Sequence, residues 1–328
     1  MKFFATLRNF TLFALAVCLS GGAFAQKMKV GYWTSGFSLG FGAVMEQMKF
    51  AEKEGVDVEW VKFSEVNGPT RALPSHAIDL AFGAPSATSM AIASDGIPVK
   101  IVLATQIAES QFVVLADSPI KSMADLKGKK IGMTAPPSAM HAIVSAVLEN
   151  NFGLKSADYT VVPGNESRLA QFLSQKDADS AAIRSVTIAQ MDEVKLRALG
   201  SVVDEWKKMT KSSSPPTLAV TIVHDDFVTK NPDAVAKFIA ATRKAVEWGS
   251  KNKPQVADIL RKAANMNAVD ARAYADQWDN AYFASFEPQD IAALKRMNQI
   301  FMAAGSAKKD VPDSAFLTAP YIKSKQIK

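Results

Sequence analysis

Residues 29–45 read KVGYWTSGFSLGFGAVM, which begins as an apolar strand predicted over 29–33 and continues through a hydroxyl-bearing turn. Apolar side chains then recur at helical spacing over 39–54, and Gly55 follows as a suitable helix stop. The arrangement returns where a strand predicted over 129–133 leads through TAPPS (134–138) into a helix predicted over 138–152. A strand, a small turn and a helix N-terminus at both places predict two α/β units of similar plan.

Short apolar strands alternate with amphipathic helices elsewhere in the chain, a pattern typical of an α/β fold with largely parallel sheets. Further strands are predicted over 56–63, 79–82, 100–105, 159–162, 180–183 and 218–223. Further helices are predicted over 70–73, 86–94, 166–174, 232–248, 254–264, 269–286 and 289–304. The clearest linker-like stretch is SSSPP at 212–216.

Composition limits the class of protein. The 328 residues are 48% apolar and 21% charged, which fits about two globular domains. The 38 basic and 32 acidic side chains are interspersed, without a charge run or a basic-aromatic stripe, so nucleic acid is not a predicted partner. The single cysteine, Cys18, excludes a disulfide framework, a thiolate-rich zinc site and an iron–sulfur cluster.

The first 25 residues carry the pattern of a secretory signal peptide. Two basic residues precede an apolar run at 10–19, and a small-x-small sequence follows at 23–25. The run is shorter than the roughly 20 residues that a transmembrane helix needs. A lipid anchor on Cys18 fits less well, because Val17 stands where a small residue is required. We therefore predict cleavage after Ala25 and a periplasmic, cysteine-free mature protein.

Several stretches carry a family resemblance when taken in order: AIDLAFGAP (77–85), DGIPV (95–99), DSPI (117–120), DLKGKKIG (125–132) and NPD (231–233). Together they resemble the solute-binding proteins of ABC importers for nitrate, sulfonates, taurine and thiamine pyrimidine precursors. The resemblance covers essentially the whole mature chain. It implies a two-lobed periplasmic-binding-protein fold of type II, in which each lobe is a mixed, mostly parallel sheet flanked by helices.

The resemblance also implies a discontinuous first lobe. The chain would cross between lobes near 112–115 and again near 218–221, which gives residues 26–114 and 219–328 to the first lobe and 115–218 to the second. A protein of this kind is a monomer that captures a small solute in the cleft between its lobes. It delivers that solute to the permease and ATPase subunits of an ABC importer, and it needs neither a cofactor nor a metal and catalyses no reaction.

Hydroxyl-bearing residues collect at predicted helix N-termini, where unpaired backbone N–H groups and the helix dipole favour an anion. The same residues could be ordinary N-caps, worth about 1 kcal/mol each. Two aromatic residues flank the first turn and could form an apolar wall for a ligand or simply pack in the core. The predicted ligand-binding residues are Trp33, Thr34, Ser35, Phe37, Ala84, Ser86, Thr134, Ser138 and Arg184.

Arg184 is the most informative charge, because it follows the strand predicted over 180–183 at its carboxyl end. A guanidinium there can bind a carboxylate or a sulfonate through two parallel hydrogen bonds. Residues 178–185 read ADSAAIRS, whereas members of the resembled family often have a Gly-x-Asp-Ala segment here. The alternative interpretation is a surface ion pair with Asp179 or Asp192, and both interpretations remain open.

The three histidines, His76, His141 and His224, are scattered along the chain without a carboxylate at metal-ligand spacing, so no metal site is predicted. His141 lies three residues after Ser138 and faces either the cleft or the surface. Arg71 also lies where small residues are common in the resembled family, and either faces the cleft or covers a helix surface. Lesser candidates at strand–helix turns are Asn67, Gly83 and Gln106.

The predicted function is the binding of a small organic anion, such as a sulfonate, a taurine-like zwitterion or a carboxylate, for import, and nitrate also remains possible. A neutral thiamine-pyrimidine-like precursor is the alternative ligand. An enzyme on the same fold is a second alternative. Yeast-type pyrimidine precursor synthases resemble the family but carry a cysteine-rich motif, and residues 26–328 contain no cysteine, nucleophile elbow or P-loop. A sensor domain or chemoreceptor partner is a third.

Overall fold

The computed structural model describes residues 27–136, 138–191 and 193–327, and the strands of these residues form two separate sheets. The predicted signal peptide at 1–25 lies outside the described residues. The strands are β1 Met28–Trp33, β2 Val58–Phe63, β3 Leu80–Pro85, β4 Val99–Ile107, β5 Gln111–Leu115, β6 Lys130–Met133, β7 Thr160–Pro163, β8 Ser180–Ile183, β9 Leu196–Ser201, β10 Thr217–His224 and β11 Tyr282–Ser285.

Helices flank both sheets. They are α1 Gly36–Gln47, α2 Phe50–Lys53, α3 Gly68–Ala72, α4 Ser86–Ser94, α5 Ala139–Phe152, α6 Glu166–Ser174, α7 Ser185–Ala189, α8 Val202–Thr210, α9 Asp225–Lys230, α10 Pro232–Lys251, α11 Lys253–Ala264, α12 Ala268–Asp276, α13 Trp278–Ala281, α14 Pro288–Ala303 and α15 Ala319–Ser324. Over the described ranges, no helix combines the length and apolarity that a membrane span requires.

Each sheet is mixed. The six-stranded sheet has the order β11-β4-β10-β3-β1-β2, with β1 parallel to β2 and β3, and β10 antiparallel to β3 and β4. The five-stranded sheet has the order β7-β6-β8-β5-β9, with β6 parallel to β7 and β8, and β5 antiparallel to β8 and β9. The predicted α/β architecture of two mixed sheets flanked by helices is confirmed. We refer to the parts built around these sheets as lobe 1 and lobe 2, respectively.

Two connections join the lobes. Residues 108–110 lead from β4 to β5, and residues 211–216 lead from α8 back to β10. They run side by side, since the backbone N–H of Ala108 donates to the carbonyl of Pro216 at 2.8 Å. The expected crossings at 112–115 and 218–221 fall instead inside β5 and β10, whose backbone groups are bonded within one sheet each.

Two predicted helices are interrupted. The helix expected over 39–54 is α1 and α2, separated where Lys49 adopts a left-handed conformation (φ 52°). The helix expected over 269–286 is α12, α13 and then β11, which pairs with β4 at the edge of the sheet. Tyr282 is buried, and its hydroxyl donates a hydrogen bond to the Phe37 carbonyl at 2.8 Å. These contacts fix β11 in place. Tertiary contacts therefore override helical periodicity in this segment.

An aromatic cluster in the lobe 1 core supports α1. The ring of Phe41 lies 4.9 Å from Phe82 in β3 and 4.9 Å from Tyr282 in β11, measured between ring centroids. The Tyr282 ring lies 4.4 Å from that of Trp278. Aromatic pairs at such distances add about 0.5–1.5 kcal/mol each to the free energy of burial. Ring contacts of Phe41 therefore hold α1 against β3 and β11.

The contact between α10 and Trp278 tests this packing. A Cβ atom on Gly249 would lie 2.2 Å from the Trp278 Cε2 atom, closer than any ordinary contact. We expect Gly249→Ala to lower the free energy of unfolding by about 1–3 kcal/mol through overpacking, although Ala favours a helix by about 1 kcal/mol over Gly. Urea denaturation measures this difference.

The matched control is the same substitution in a Trp278→Leu background, where the smaller side chain leaves room for the new methyl group. There the cost of Gly249→Ala should fall, and the double-mutant cycle gives the coupling. A Gly249→Ala protein at least as stable as wild type would contradict the packing described.

Candidate functional site

The strand ends of both lobes lie on either side of the two connections. Strands β1, β3 and β4 run in the same direction, so their carboxyl ends share one edge of the six-stranded sheet. In lobe 2, Gln111 at the start of β5 pairs with Ile183 and Ser201, the last residues of β8 and β9. Because residues 108–110 join β4 to β5, these two edges are brought together. In open α/β sheets such edges are where ligands bind.

Arg184 and Phe37 connect the lobes at these edges. Arg184 stands at the N-cap of α7, directly after β8, and its guanidinium lies 4.8 Å from the centroid of the Phe37 ring. Phe37 is in the first turn of α1 and packs edge-on against Tyr274 and Tyr282, at 5.9 and 5.8 Å between centroids. Two residues predicted as ligand-binding, one from each lobe, are thus in direct contact. A cation over an aromatic face contributes about 0.5–2 kcal/mol, depending on desolvation.

Two carboxylates of the chain itself lie at the start of α7, and one of them contacts the Arg184 side chain. The Oε1 atom of Glu166 lies 3.6 Å from the Arg184 Nε atom. Its Oε2 atom accepts hydrogen bonds from the Arg184 backbone N–H and from the Thr187 hydroxyl, both at 3.0 Å. Glu109, on the first connection, accepts from the backbone N–H and, at 2.8 Å, from the hydroxyl of Ser185. The start of α7 is therefore capped by Glu109 and Glu166.

Burial controls the charge of this cluster. Glu109 is only 4% exposed, and burial raises the pKa of its carboxyl, an effect that the Ser185 hydrogen bonds and the Arg184 charge partly oppose. Burial also raises the pKa of the Tyr274 hydroxyl, while the Arg184 charge acts in the opposite direction. The positive charge of the Arg184 guanidinium is thus balanced by the Glu166 carboxylate, whereas burial disfavours ionisation of the Glu109 carboxyl. Arg184 is already partly neutralised within the protein.

Arg184 forms an ion pair with Glu166, which the sequence analysis did not predict as its partner. Asp179 lies just before β8, where its carboxylate accepts the backbone N–H of Lys130 at 2.8 Å, and Asp192 lies outside the described residues. Glu166, the partner that the structure shows, begins α6. Arg71 is exposed in α3.

Two predicted hydroxyls in lobe 1 bond to neighbouring strands. The Thr34 hydroxyl donates to the carbonyl of Phe63 at 3.0 Å. The Ser86 hydroxyl, fully buried at the start of α4, donates to the carbonyl of Thr217 at 2.7 Å. Ala84 is buried within β3. The Thr34 and Ser86 hydroxyls thus bond to neighbouring strands at this edge of the sheet, and Ala84 is part of the lobe 1 core.

The start of α1 is more open. Ser35 is its exposed N-cap, and its side chain makes no capping hydrogen bond within the described part of the chain. Trp33 is half-buried, and its indole Nε1–H donates to the Ser64 carbonyl at 3.1 Å. Gly36 has a left-handed conformation (φ 54°), and a Cβ there would lie 3.1 Å from the indole ring. The Trp33 ring therefore packs over the first turn of α1, as an apolar wall would.

In lobe 2 the corresponding turn precedes α5, and its side chains form hydrogen bonds with one another and with the start of that helix. The hydroxyls of Thr134 and Ser138 lie 2.7 Å apart, and Ser138 is the N-cap of α5, where it accepts the backbone N–H of His141 at 3.1 Å. The Nδ1 atom of His141 lies 2.9 Å from the Thr134 carbonyl oxygen. The N-cap interpretation therefore holds for Ser138, and His141 bonds to the turn that precedes its own helix.

Sequence reasoning missed Glu109, Glu166 and Tyr274. Glu109 had a local signal, as a lone acidic residue in the short stretch between two apolar strands. Glu166 and Tyr274 reach Arg184 and Phe37 only through tertiary structure, from α6 and α12. Of the lesser candidates, Gln106 donates to the Ser38 hydroxyl at 3.1 Å, and Ser38 donates to the Gly83 carbonyl, in a buried group behind Phe37. Asn67 instead accepts from Thr88.

A cavity of about 630 Å³ opens beside the two connections. Glu109 and Ser185 line it, together with Lys207 from lobe 2 and Asp279 from lobe 1. None of the nine predicted ligand-binding residues, all of which the structure describes, lines this cavity. Glu109 and Ser185 are the residues that this cavity shares with the cluster around Arg184.

Comparison with known proteins gives the family. The model of the NMT1/THI5-like family matches residues 44–257, more than half of the chain, and the chain therefore belongs to that family. The family resemblance expected from the sequence is confirmed.

Relatives over most of the chain are binding proteins by name. A protein of Brucella abortus (strain 2308), provisionally named as a binding protein, is 25% identical over 97% of this chain and 99% of its own. The taurine-binding periplasmic protein of Escherichia coli (strain K12) is 26% identical over 70% of this chain and 68% of its own.

Solved structures confirm the periplasmic-binding-protein fold. The periplasmic aliphatic sulphonate binding protein SsuA of Escherichia coli aligns with a TM-score of 0.72 at 18% identity, over 87% of this chain and 89% of its own. The desulfurization enzyme DSZB aligns with a TM-score of 0.64 at 14% identity, over 92% of this chain and 99% of its own. At these identities the likeness shows the fold alone, and the fold carries both binding proteins and an enzyme.

The buried carboxylate of Glu109 gives a pH prediction. Because its pKa is raised above the ordinary value of 4.5, the folded state keeps its proton to higher pH than the unfolded state does. Its contribution to stability is complete below that value and is lost as the pH rises through the folded-state pKa. Relative to Glu109→Gln, the wild type should therefore lose free energy of unfolding as the pH is raised from about 4 to about 8.

Urea denaturation across this pH range measures the difference between the two proteins. Glu59→Gln, at an exposed position in β2, removes a carboxylate of the same kind from the surface and serves as the control. Parallel stability curves for wild type and Glu109→Gln would contradict the prediction.

Proposed function

We propose that this protein is the substrate-binding component of an ABC-type importer and acts as a monomer that captures a small organic anion between its lobes. It would deliver the anion to an inner-membrane permease and its ATPase. The observation that carries the proposal is the stacking of Arg184, from lobe 2, on Phe37, from lobe 1, where the strand ends of both lobes meet. A ligand bound there touches both lobes, and such contacts favour the state in which the lobes are together. Membership of the family supports this function.

Two neighbouring features favour a negatively charged group. The first turn of α1 presents backbone N–H groups beside the exposed Ser35, at the positive end of a helix of 12 residues. The Arg184 guanidinium lies over Phe37 in that same turn. A sulfonate or carboxylate placed between them would accept hydrogen bonds from both lobes. Trp33, packed over the turn, offers apolar surface to the carbon skeleton of such a ligand.

Within this class, the charges favour a ligand that also carries an ammonium group. Arg184 is matched by Glu166 at 3.6 Å, and Glu109 lies nearby on the first connection. A simple anion would compete with these carboxylates for the guanidinium. A zwitterion can place its anionic group toward Arg184 and the start of α1, and its ammonium toward the Glu166 carboxylate. We therefore propose a taurine-like zwitterion as the preferred ligand, in keeping with the taurine-binding relative.

Binding without chemical change is proposed over catalysis. The fold neighbour DSZB is a desulfurization enzyme, so fold alone does not separate the two functions. Residues 26–328 contain no cysteine and no nucleophile elbow, and the polar side chains around Arg184 form ion pairs and helix caps. An arrangement of matched charges suits reversible capture of a charged solute.

Calorimetry with taurine, an unsubstituted alkanesulfonate and a neutral aminopyrimidine tests the ligand class. We expect taurine to bind most tightly and the pyrimidine least. Arg184→Ala should weaken taurine binding roughly ten- to a hundredfold, because a charged hydrogen bond contributes about 1.5–3 kcal/mol and about 1.4 kcal/mol is tenfold. Arg184→Lys should recover part of the loss, since an ammonium lacks the planar fork.

Arg168→Ala is the matched control, because Arg168 is an exposed arginine of the same lobe whose guanidinium lies over the Phe172 ring. It should bind taurine like wild type. Wild-type affinity in a folded Arg184→Ala protein would remove Arg184 from the binding site. Binding of the neutral pyrimidine alone would contradict the anionic ligand class.

The proposed periplasmic location has its own test. The pattern at 1–25 predicts export and cleavage, so intact-mass spectrometry of the protein recovered from the periplasm should give a chain that begins at Gln26. Recovery of a lipid-modified chain that begins at Cys18 would contradict this, as would retention of the protein in the cytoplasm.

A further inference from the structure

Three side chains with metal-binding atoms meet at the edge of lobe 1 that faces away from the cleft. His76, His224 and Asp226 each offer one ligand atom, and these atoms all lie within 4.8 Å of one another. The two imidazole rings are 3.9 Å apart between centroids, and the His224 Nδ1 atom lies 2.5 Å from the Asp226 Oδ1 atom. Spacing along the sequence did not indicate a metal site, because the fold brings these distant residues together.

The position of the cluster is fixed by the six-stranded sheet. His224 ends β10, and its backbone N–H donates to the Asp79 carbonyl, just before β3, at 3.1 Å. The next residue, Asp225, donates its N–H to the Pro98 carbonyl, just before β4, at 2.9 Å. The cleft lies at the other end of β10, where Thr217 pairs with Ile107. The cluster and the proposed solute site are therefore separated by the full length of this strand.

We propose that His76, His224 and Asp226 form a binding site for a divalent transition-metal ion, for which Zn²⁺ is the appropriate probe. Imidazole nitrogens and a carboxylate oxygen are donors that Zn²⁺ prefers, and three protein ligands leave a fourth position for water. The site would join the turn before β3, the end of β10 and the start of α9. A metal ion there would stabilise lobe 1 without contact with the transported solute.

The geometry needs only side-chain movement. Donor atoms at about 2.0–2.2 Å from Zn²⁺ lie about 3.3 Å apart in a tetrahedron, whereas the atoms here lie within 4.8 Å of one another. His76 and Asp226 are both exposed and have room to turn toward the ion, while His224 is buried and serves as the fixed ligand. His76 also adopts a left-handed backbone conformation (φ 55°), which is uncommon for a residue other than Gly and holds its ring over that of His224.

The charges around the site are mixed. Lys230 lies 3.5 Å from Asp226, and Lys100 lies 3.5 Å from the neighbouring Asp225. Zn²⁺ would replace Lys230 as the partner of the Asp226 carboxylate. The requirement for neutral imidazoles and an ionised carboxylate makes binding weaker in acid, where protons compete for the same atoms.

Titration of the untagged, exported protein with Zn²⁺, after treatment with a chelator, tests the site by calorimetry and by the shift in melting temperature. We expect one Zn²⁺ per chain and a higher melting temperature, because an ion that binds only the folded state stabilises it. His76→Ala and Asp226→Asn should each weaken Zn²⁺ binding tenfold or more. Both residues are exposed, so these variants should fold.

His141→Ala is the matched control, since His141 is the histidine of the chain outside the cluster and lies in lobe 2. It should bind Zn²⁺ like wild type, and so should Arg184→Ala, which separates this site from the proposed solute site. The absence of Zn²⁺ binding to the wild type would overturn the proposal. Equal binding by wild type, His76→Ala and Asp226→Asn would overturn it as well.

Discussion

The buried carboxylate of Glu109 constrains the whole region between the lobes. It lies on the first connection and accepts the N–H and the hydroxyl of Ser185, so it fixes the start of α7 relative to the chain that leaves lobe 1. A buried carboxylate needs hydrogen bonds and a nearby positive charge, and Arg184 supplies that charge from the adjacent position. Arg184 is thereby aimed at Phe37, whose ring is held by the tyrosines of α12 and β11. This series of contacts links the first connection, the start of α7 and the first turn of α1.

Hydrophobic periodicity and helix-stop residues predicted the helices and strands whose conformation depends mainly on residues nearby in the sequence. The helix expected over 86–94 is α4 with the same bounds, because small residues and a following Gly suffice to define it. The segment 269–286 could not be predicted in this way, since its helical periodicity yields to the burial of Trp278 and Tyr282 against lobe 1. The crossings were misplaced for a related reason. Apolar runs near 112–115 and 218–221 indicate buried strands, and only the pairing of those strands shows which sheet each one joins.

The candidate site was predictable as a location more than as a set of contacts. A strand followed by a helix N-terminus marks the edge where Arg184 and Ser35 lie, and that much follows from sequence. The partners of each side chain do not, because Glu109, Glu166 and Tyr274 come from three separate elements. The same holds for the cluster of His76 and His224, which spacing rules treat as unrelated residues. The topology of the fold, and not the local sequence pattern, decides which side chains become ion-pair or cluster partners.

The two connections that run side by side have a mechanical consequence. A rigid body held at one point can turn in any direction, whereas a body held at two points keeps only the rotation about the line through them. Residues 108–110 and 211–216 are two such points, tied together by the bond between Ala108 and Pro216. Any relative rotation of the lobes is thereby restricted to the axis that passes through these two connections. A rotation about that axis would separate Arg184 from the Phe37 ring, and the reverse rotation would restore the same contact.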